Sequence, residues 1–158
     1  YLALVGPECK ELDGILGYYG EQLVLLAQSL GLNSCWVGGT YKVVNRAYNV
    51  DLGQKLAAVV ALGYGTTQGV PHRSKARQEV APGYDGAPEW FKRGVDAALL
   101  APTALNQQKF SFSLDGEEND VPVVRASTKR GAFTQMDLGI AQCHFEIGAG
   151  NVLYRWSE

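Results

Sequence analysis

The segment from Tyr18 to Leu30 constrains the fold of this chain more than any other part of the sequence. Its apolar side chains recur at the spacing of a helix that turns one face toward a core. Gly31 follows directly, at a position where helices commonly end. We therefore predict a helix over residues 18–30. The predicted core face consists of Tyr19, Leu23, Leu26, Ala27 and Leu30.

Strand-like segments lie on either side of this helix. Residues 2–5 form a short apolar run that stops at a Gly-Pro pair, and residues 55–62 form an apolar run with two adjacent valines that stops at Gly63. Runs of this length and character are typical of buried strands. Residues 32–40 are a further apolar stretch that leads into a glycine pair.

The second half of the chain repeats this mixture of strands and helices. Residues 109–114 alternate between polar and apolar side chains, an Asp-Gly turn follows, and residues 121–126 continue as a second strand. Helices are predicted over residues 89–100, which follow a proline suited to a helix start, and over residues 134–149. Residues 66–86 read as a loop-rich region with a basic cluster.

Composition excludes several classes of protein. With 158 residues, 46% of them hydrophobic, the chain has enough apolar material for one core. A net charge of −2 without a basic stripe argues against a nucleic-acid partner, and no apolar run approaches the roughly 20 residues that span a bilayer. Three widely spaced cysteines fit neither a disulfide framework nor a metal site. We expect a soluble cytoplasmic protein with reduced thiols.

Three segments resemble the nitroreductase family. Residues 101–108 (APTALNQQ) are similar to the family's APSxxNxQPW segment, and residues 30–39 (LGLNSCWVGG) are similar to LGLGTCWxGG. Residues 61–65 (ALGYG) with residues 71–75 (PHRSK) resemble the family's strand, GYP turn and basic tail. The order of the segments is closest to a subgroup that carries two half-nitroreductase units in one polypeptide, which imitate the usual homodimer.

This resemblance implies the fold and the organisation of the chain. The fold would be an α+β nitroreductase-like sandwich, with helices packed on a mainly antiparallel sheet. Residues 1–80 would be the C-terminal part of a first half-unit and residues 81–158 a second half-unit, together forming one globular domain that is a pseudo-dimer within one chain. Since the chain starts with Tyr1 inside a strand pattern, we expect that an upstream part is absent.

The resemblance also implies a cofactor and a reaction. FMN would lie in a groove between the half-units, and hydride would pass from NAD(P)H through FMN to a nitroaromatic, a quinone or a similar small acceptor. Gly38 and Gly39 match the loop beside the reactive edge of the flavin ring, where glycine permits close approach. Arg73 and Lys75 match the basic residues at the FMN phosphate. No side chain is assigned a catalytic role, because the flavin carries the chemistry.

Residues 102–108, which we call the connector, supply the remaining predicted contacts. Amide side chains both donate and accept hydrogen bonds, as the pyrimidine edge of a flavin requires. Considered by their chemistry alone, the same residues fit better with a polar loop that satisfies its own backbone groups, and it is the resemblance that favours the flavin. The contacts that the resemblance implies come from Pro102, Thr103, Ala104, Asn106 and Gln108.

Two departures from the family pattern leave a second hypothesis open. The basic RRSxR-type motif that the family places near its N-terminus has no counterpart in this chain, and Lys109 and Phe110 stand where the family has Pro-Trp. The missing motif is part of the phosphate clamp. The alternative is therefore a non-catalytic flavin- or ligand-binding scaffold that has lost the clamp.

Overall fold

The structure is a computed structural model that describes residues 1–42, 44 and 47–157. Its first sheet has three strands in the order β1-β3-β2, and both pairings are antiparallel. The central strand is the valine-rich segment, which pairs with a neighbour along both edges. The strands are β1 (Leu2–Pro7), β2 (Asn33–Val37) and β3 (Gln54–Gly63).

A second sheet is built from the C-terminal half of the chain. Its order is β4-β5-β6, with β4 and β5 joined as an antiparallel hairpin and β6 added in parallel to β5. The alternating pattern that predicts the hairpin explains the burial of Phe110 and Phe112, which lie on one face of β4. The strands are β4 (Phe110–Glu118), β5 (Val121–Thr128) and β6 (Arg155–Trp156).

Four α-helices pack on these sheets, so the predicted α+β class with mainly antiparallel pairing is confirmed. The helix predicted over residues 134–149 has those bounds in the structure. The region predicted to be loop-rich contains α2 and a 3-10 turn at Tyr84–Gly86. The helices are α1 (Leu12–Ser29), α2 (Arg77–Val80), α3 (Glu89–Ala98) and α4 (Thr134–Ala149).

Helices α1 and α4 cross with their backbones almost in contact. A Cβ atom on Gly17 would overlap the carbonyl oxygen of Met136, and one on Gly139 would overlap the carbonyl oxygen of Gly14. Side chains of any size at Gly17 or Gly139 would push the helices apart. The crossing therefore depends on glycine at these two positions.

This crossing overturns the predicted core face of α1. Tyr19, Leu23, Leu26 and Leu30 are between 43% and 68% exposed, and only Ala27 of the predicted set is buried. The prediction fails because the helix turns its small residues, rather than its large apolar ones, toward α4. The buried residues of α1 are Leu12, Gly17, Gly20, Glu21, Val24 and Ala27.

A buried carboxylate links the two crossing helices to the first sheet. Glu21 of α1 is only 1% exposed. One of its oxygens accepts the indole N–H of Trp36 at 3.0 Å, and the other lies 2.8 Å from Nε2 of His144 on α4. Because both oxygens have partners, the cost of burying this carboxylate is offset.

A second carboxylate makes the same kind of link to the second sheet. Glu146 of α4 accepts the indole N–H of Trp156 at 2.8 Å and the hydroxyl of Tyr18 on α1. Burial, followed by this hydrogen bond, raises the pKa of Tyr18 to about 12. Each helix thus contributes one glutamate and one further polar side chain to the interface, and each sheet contributes one tryptophan.

Candidate functional site

A cavity of about 690 Å³ lies where the end of β2, the connector and the start of α4 meet. Val24, Ala58 and Ile140 contribute apolar surface to it, and Thr103 and Asp137 are among its few polar groups. Ligand sites in proteins commonly have this size and this mainly apolar lining. The cavity is therefore the candidate functional site.

The first wall comes from β2 and the residues after it. Trp36 contributes its indole, which the buried Glu21 fixes through the N–H bond. Gly38 and Gly39 follow and also line the cavity. A Cβ atom on Gly38 would lie 2.7 Å from the ring of Phe133, so only glycine allows the aromatic ring to approach the backbone here.

Phe133 forms the corner between this wall and α4. It directly precedes the helix and has a φ of 61°, in the left-handed region that residues other than glycine rarely occupy. Its ring lines the cavity and is 41% exposed. The backbone conformation and the contact with Gly38 together place an aromatic face at the mouth of the site.

The second wall is the connector. Pro102, Thr103, Ala104, Leu105 and Gln107 also line the cavity. Three bonds close the connector into a turn, two of them between backbone groups and one from the Gln108 N–H to the hydroxyl oxygen of Thr103 at 3.1 Å. This wall is therefore a folded turn rather than an extended loop.

Asp137 joins the connector to α4. Its carboxylate accepts the backbone N–H of Ala104 at 2.9 Å and the side-chain amide of Gln107 at 2.6 Å. Burial raises the pKa of Asp137, and these two hydrogen bonds together with the charge of Lys109 oppose that rise. Asp137 is the one acidic group among the cavity-lining residues that the structure describes.

The remaining predicted contacts lie on the far side of the connector. The side-chain amides of Asn106 and Gln108 donate to the carbonyl oxygen of Arg73 at 2.9 and 2.8 Å. Oε1 of Gln108 accepts the backbone N–H of Lys75 at 2.9 Å, and the Lys75 ammonium donates to the Gln108 carbonyl at 2.7 Å. In this arrangement the two amides bind residues 73–75, which we call the basic segment, to the connector.

The structure thus divides the predicted site residues into two groups. Five of them line the cavity, and they come from two segments that are far apart in the sequence. The other four form the hydrogen-bonded cluster behind the connector. The first group is Gly38, Gly39, Pro102, Thr103 and Ala104, and the second is Arg73, Lys75, Asn106 and Gln108.

Sequence reasoning did not single out Asp137 or Phe133 as site residues. The available signal for Asp137 was an acidic residue in the first turn of a predicted helix, which also occurs for helix-dipole reasons alone. For Phe133 no sequence signal indicates a left-handed backbone, since phenylalanine is uncommon there. Both residues enter the site through tertiary packing.

Two of the cysteines differ in their surroundings, since Cys35 is exposed and lines the cavity whereas Cys143 does not line it. Cys143 is buried, and burial raises the pKa of its thiol to about 11, with Glu21 and Glu146 adding to the rise. Within residues 1–42, 44 and 47–157, no group of three His, Cys, Asp or Glu side chains could hold a metal ion.

No helix in the same part of the chain is both long and apolar enough to cross a membrane.

Comparisons with known proteins agree with the fold. The sequence model of the family described as "Putative TM nitroreductase" matches residues 1–149, so the chain belongs to this nitroreductase family. The chain also resembles the crystal structure of a "putative nitroreductase" from Thermotoga maritima MSB8, with a TM-score of 0.66 and 21% identity. The alignment covers 87% of this chain and 55% of that one, so this chain spans about half of its length. No curated protein matches the sequence.

Proposed function

We propose that this protein is an FMN-dependent oxidoreductase that transfers hydride from NAD(P)H to a nitroaromatic, a quinone or a similar small acceptor. The observation that supports this proposal best is the cavity between Gly38-Gly39 and the connector, the two segments whose sequences resemble the flavin-binding segments of nitroreductases. Membership of a nitroreductase family supports an oxidoreductase. A cytoplasmic location is part of the same proposal.

The cavity fits the ring portion of a flavin in size and chemistry. Its volume of about 690 Å³ suits a planar polycyclic ligand, and its lining is mainly apolar. Gly38 and Gly39 would offer backbone groups at one edge of the ring, and Thr103 and the connector backbone would face the other edge. When bound, FMN supplies hydride and electron transfer, and the protein orients it and shields it from water.

The basic segment would bind the phosphate end of FMN. The side chain of Lys75 is already engaged with the connector. Arg73 is exposed, and its guanidinium takes part in none of the hydrogen bonds or ion pairs among the described residues. Arg73 is therefore the better placed donor for an anionic group, because its charge does not have to leave another partner.

A second candidate function has a specific observation in its favour. Arg73 and Lys75 lie behind the connector rather than along the cavity, and their neighbours Asn106 and Gln108 are bound to them instead of facing a ligand. A non-catalytic protein that binds an apolar ring without a phosphate clamp would have this arrangement. Riboflavin, which lacks the phosphate, distinguishes the two functions.

The test is a pair of fluorescence titrations with FMN and riboflavin, followed by an assay of NADH and NADPH oxidation with menadione as acceptor. The proposed oxidoreductase binds FMN more tightly than riboflavin and oxidises at least one nicotinamide. In Arg73→Ala, the Kd for FMN should rise roughly tenfold, equivalent to about 1.4 kcal/mol, and that for riboflavin should not change. Binding of both flavins with equal affinity and without turnover would establish the scaffold instead, and absence of binding would refute both.

A further inference from the structure

The connector contains three residues other than glycine in the left-handed region of backbone space. The φ angles are 53° at Leu105, 52° at Asn106 and 43° at Gln108. Residues other than glycine persist in this region only where the surroundings hold them. The side chain of Leu105 is fully exposed, so its own packing cannot hold the turn.

Asp137 supplies a large part of the restraint on the cavity side. Its Oδ1 accepts the N–H of Ala104, directly before Leu105, at 2.9 Å, and its Oδ2 accepts the amide of Gln107 at 2.6 Å. The same amide of Gln107 donates to the carbonyl of Ala132 at 3.0 Å, just before α4 begins. Leu105 and Asn106 are thus bracketed by bonds to one carboxylate.

Both oxygens of the Asp137 carboxylate are engaged in hydrogen bonds with the connector. The residue is only 3% exposed, and both of its oxygens have connector donors as partners. It also lies in the first turn of α4, where the helix dipole favours a negative charge. A nearly buried carboxylate whose two oxygens both accept hydrogen bonds from one segment is suited to hold that segment in place.

We infer that Asp137 is a positioning residue that holds the strained connector in place as one wall of the cavity. The loss of its carboxylate frees the Ala104 N–H and lets the turn relax away from Gly38. This inference deepens the proposed function, because it names the residue on which that wall of the FMN site depends. It rests on the proposed function only where FMN affinity is the quantity measured.

Amide hydrogen exchange in the protein without added ligand tests the inference independently of FMN. In Asp137→Ala we expect exchange at Ala104 and at its connector neighbours to rise at least about tenfold, while the amides in the middle of α4 remain protected. Asp115→Asn is the matched control, because it removes a carboxylate that pairs with Arg125 in the β4–β5 hairpin, away from the cavity. It should leave connector exchange unchanged.

A rescue experiment swaps the hydrogen-bond donor and acceptor between the side chains at positions 107 and 137. Gln107→Glu alone sets two carboxylates against each other and should loosen the connector, whereas Asp137→Asn alone sets two amide donors together. The double substitution D137N/Q107E restores one acceptor opposite one donor and keeps an oxygen for Ala104, but a glutamate at position 107 cannot replace the bond to the carbonyl of Ala132. We therefore expect it to recover part of the slow exchange and part of the FMN affinity lost in the single variants.

The outcomes separate the inference from the proposed function. Unchanged exchange at Ala104 in D137A, fast exchange throughout α4, or a double variant no better than both single ones would overturn the positioning role. If the unsubstituted protein fails to bind FMN, the proposed function is wrong, and the exchange results still decide the inference. If FMN binds and its Kd in D137A rises about tenfold along with the exchange rate, both stand.

Discussion

The two faces of helix α1 differ in a sense opposite to most helices at a protein surface. The face toward α4 is made of glycines and of the buried carboxylate of Glu21, whereas the outer face carries large apolar side chains such as Tyr19 and Leu26. Apolar periodicity alone assigns these faces the wrong way round. Where two helix backbones nearly touch, contact area comes from the backbone itself, and residue size at the crossing counts more than hydrophobicity.

The same contrast suggests where the protein tolerates change. Substitution on the buried face alters a contact that has no room to adjust, so it should affect folding strongly. Substitution on the outer face removes side chains that contact mainly water. Four predictions follow this contrast from the largest expected effect to the smallest.

The strongest effect on stability is expected for Glu21→Ala. This change leaves the indole N–H of Trp36 and the ring of His144 without their shared acceptor in a buried interface. We expect a loss of about 3 kcal/mol in the free energy of unfolding, measured by urea denaturation. Glu21→Gln, which keeps an oxygen for Trp36, should lose clearly less. Equal losses in the two variants would show that the bond to Trp36 contributes little.

Two glycines one turn apart give the next comparison. Gly17→Ala places a methyl group against the carbonyl of Met136 and should destabilise the protein by about 2 kcal/mol. Gly14→Ala is the control, since its Cβ would have an ordinary contact of 3.7 Å and alanine favours the helix by up to about 1 kcal/mol. The prediction is wrong if G17A is as stable as G14A in urea.

The third prediction concerns the buried side of α4, where Asp137 should make the free energy of unfolding depend on pH. Burial raises its pKa in the folded protein, so the folded state holds this proton more tightly than the unfolded chain does. Stability therefore falls as pH increases from the ordinary aspartate value toward the raised pKa. In Asp137→Asn this component should disappear, which unfolding measurements across acidic pH values would detect. An unchanged slope would mean that the bonds from Ala104 and Gln107 cancel the effect of burial.

The smallest effect is expected on the outer face of α1. Leu26→Ser should change the free energy of unfolding by no more than about 0.5 kcal/mol, because the side chain is 54% exposed. Leu12→Ser on the buried face, where the side chain is 2% exposed, is the matched substitution and should cost several times more. Chemical denaturation measures both. A large loss in L26S would mean that the outer face is covered in solution.

Sequence patterns give the elements of this fold well and their mutual packing poorly. The bounds of α4 and the positions of β1 and β3 follow from local periodicity and turn residues, which act within a few positions of the chain. The turn predicted at Asp115-Gly116 is wrong, because these residues lie inside β4 and the hairpin turns at Asn119 and Asp120. The short strand β6 is not among the predicted strands. The face that α1 buries depends on which residues of α4 it meets, and the start of α1 at Leu12 lies among glycines that weaken the helical pattern. Those determinants are tertiary.

The candidate site shows the same division. The resemblance to nitroreductases predicts one site from two segments that are distant in the sequence. Gly38 and Ala104, one from each segment, line the same cavity. The resemblance does not reveal that the side-chain amide of Asn106 donates a hydrogen bond to the carbonyl oxygen of Arg73, or that Asp137 accepts one from the connector. A hydrogen-bond partner that is distant in the sequence leaves no local pattern. The contacts of Asn106 and Gln108 with a flavin stay a prediction.

The contact of Gly38 with Phe133 has a consequence for biosynthesis. The two residues come from opposite halves of the chain, and the cavity wall between them exists only when Phe133, directly before α4, has packed against Gly38, directly after β2. Because synthesis runs from the N-terminus, a nascent chain exposes the first wall to water long before the second leaves the ribosome. A ligand that needs both walls is therefore captured only after translation of the last helix.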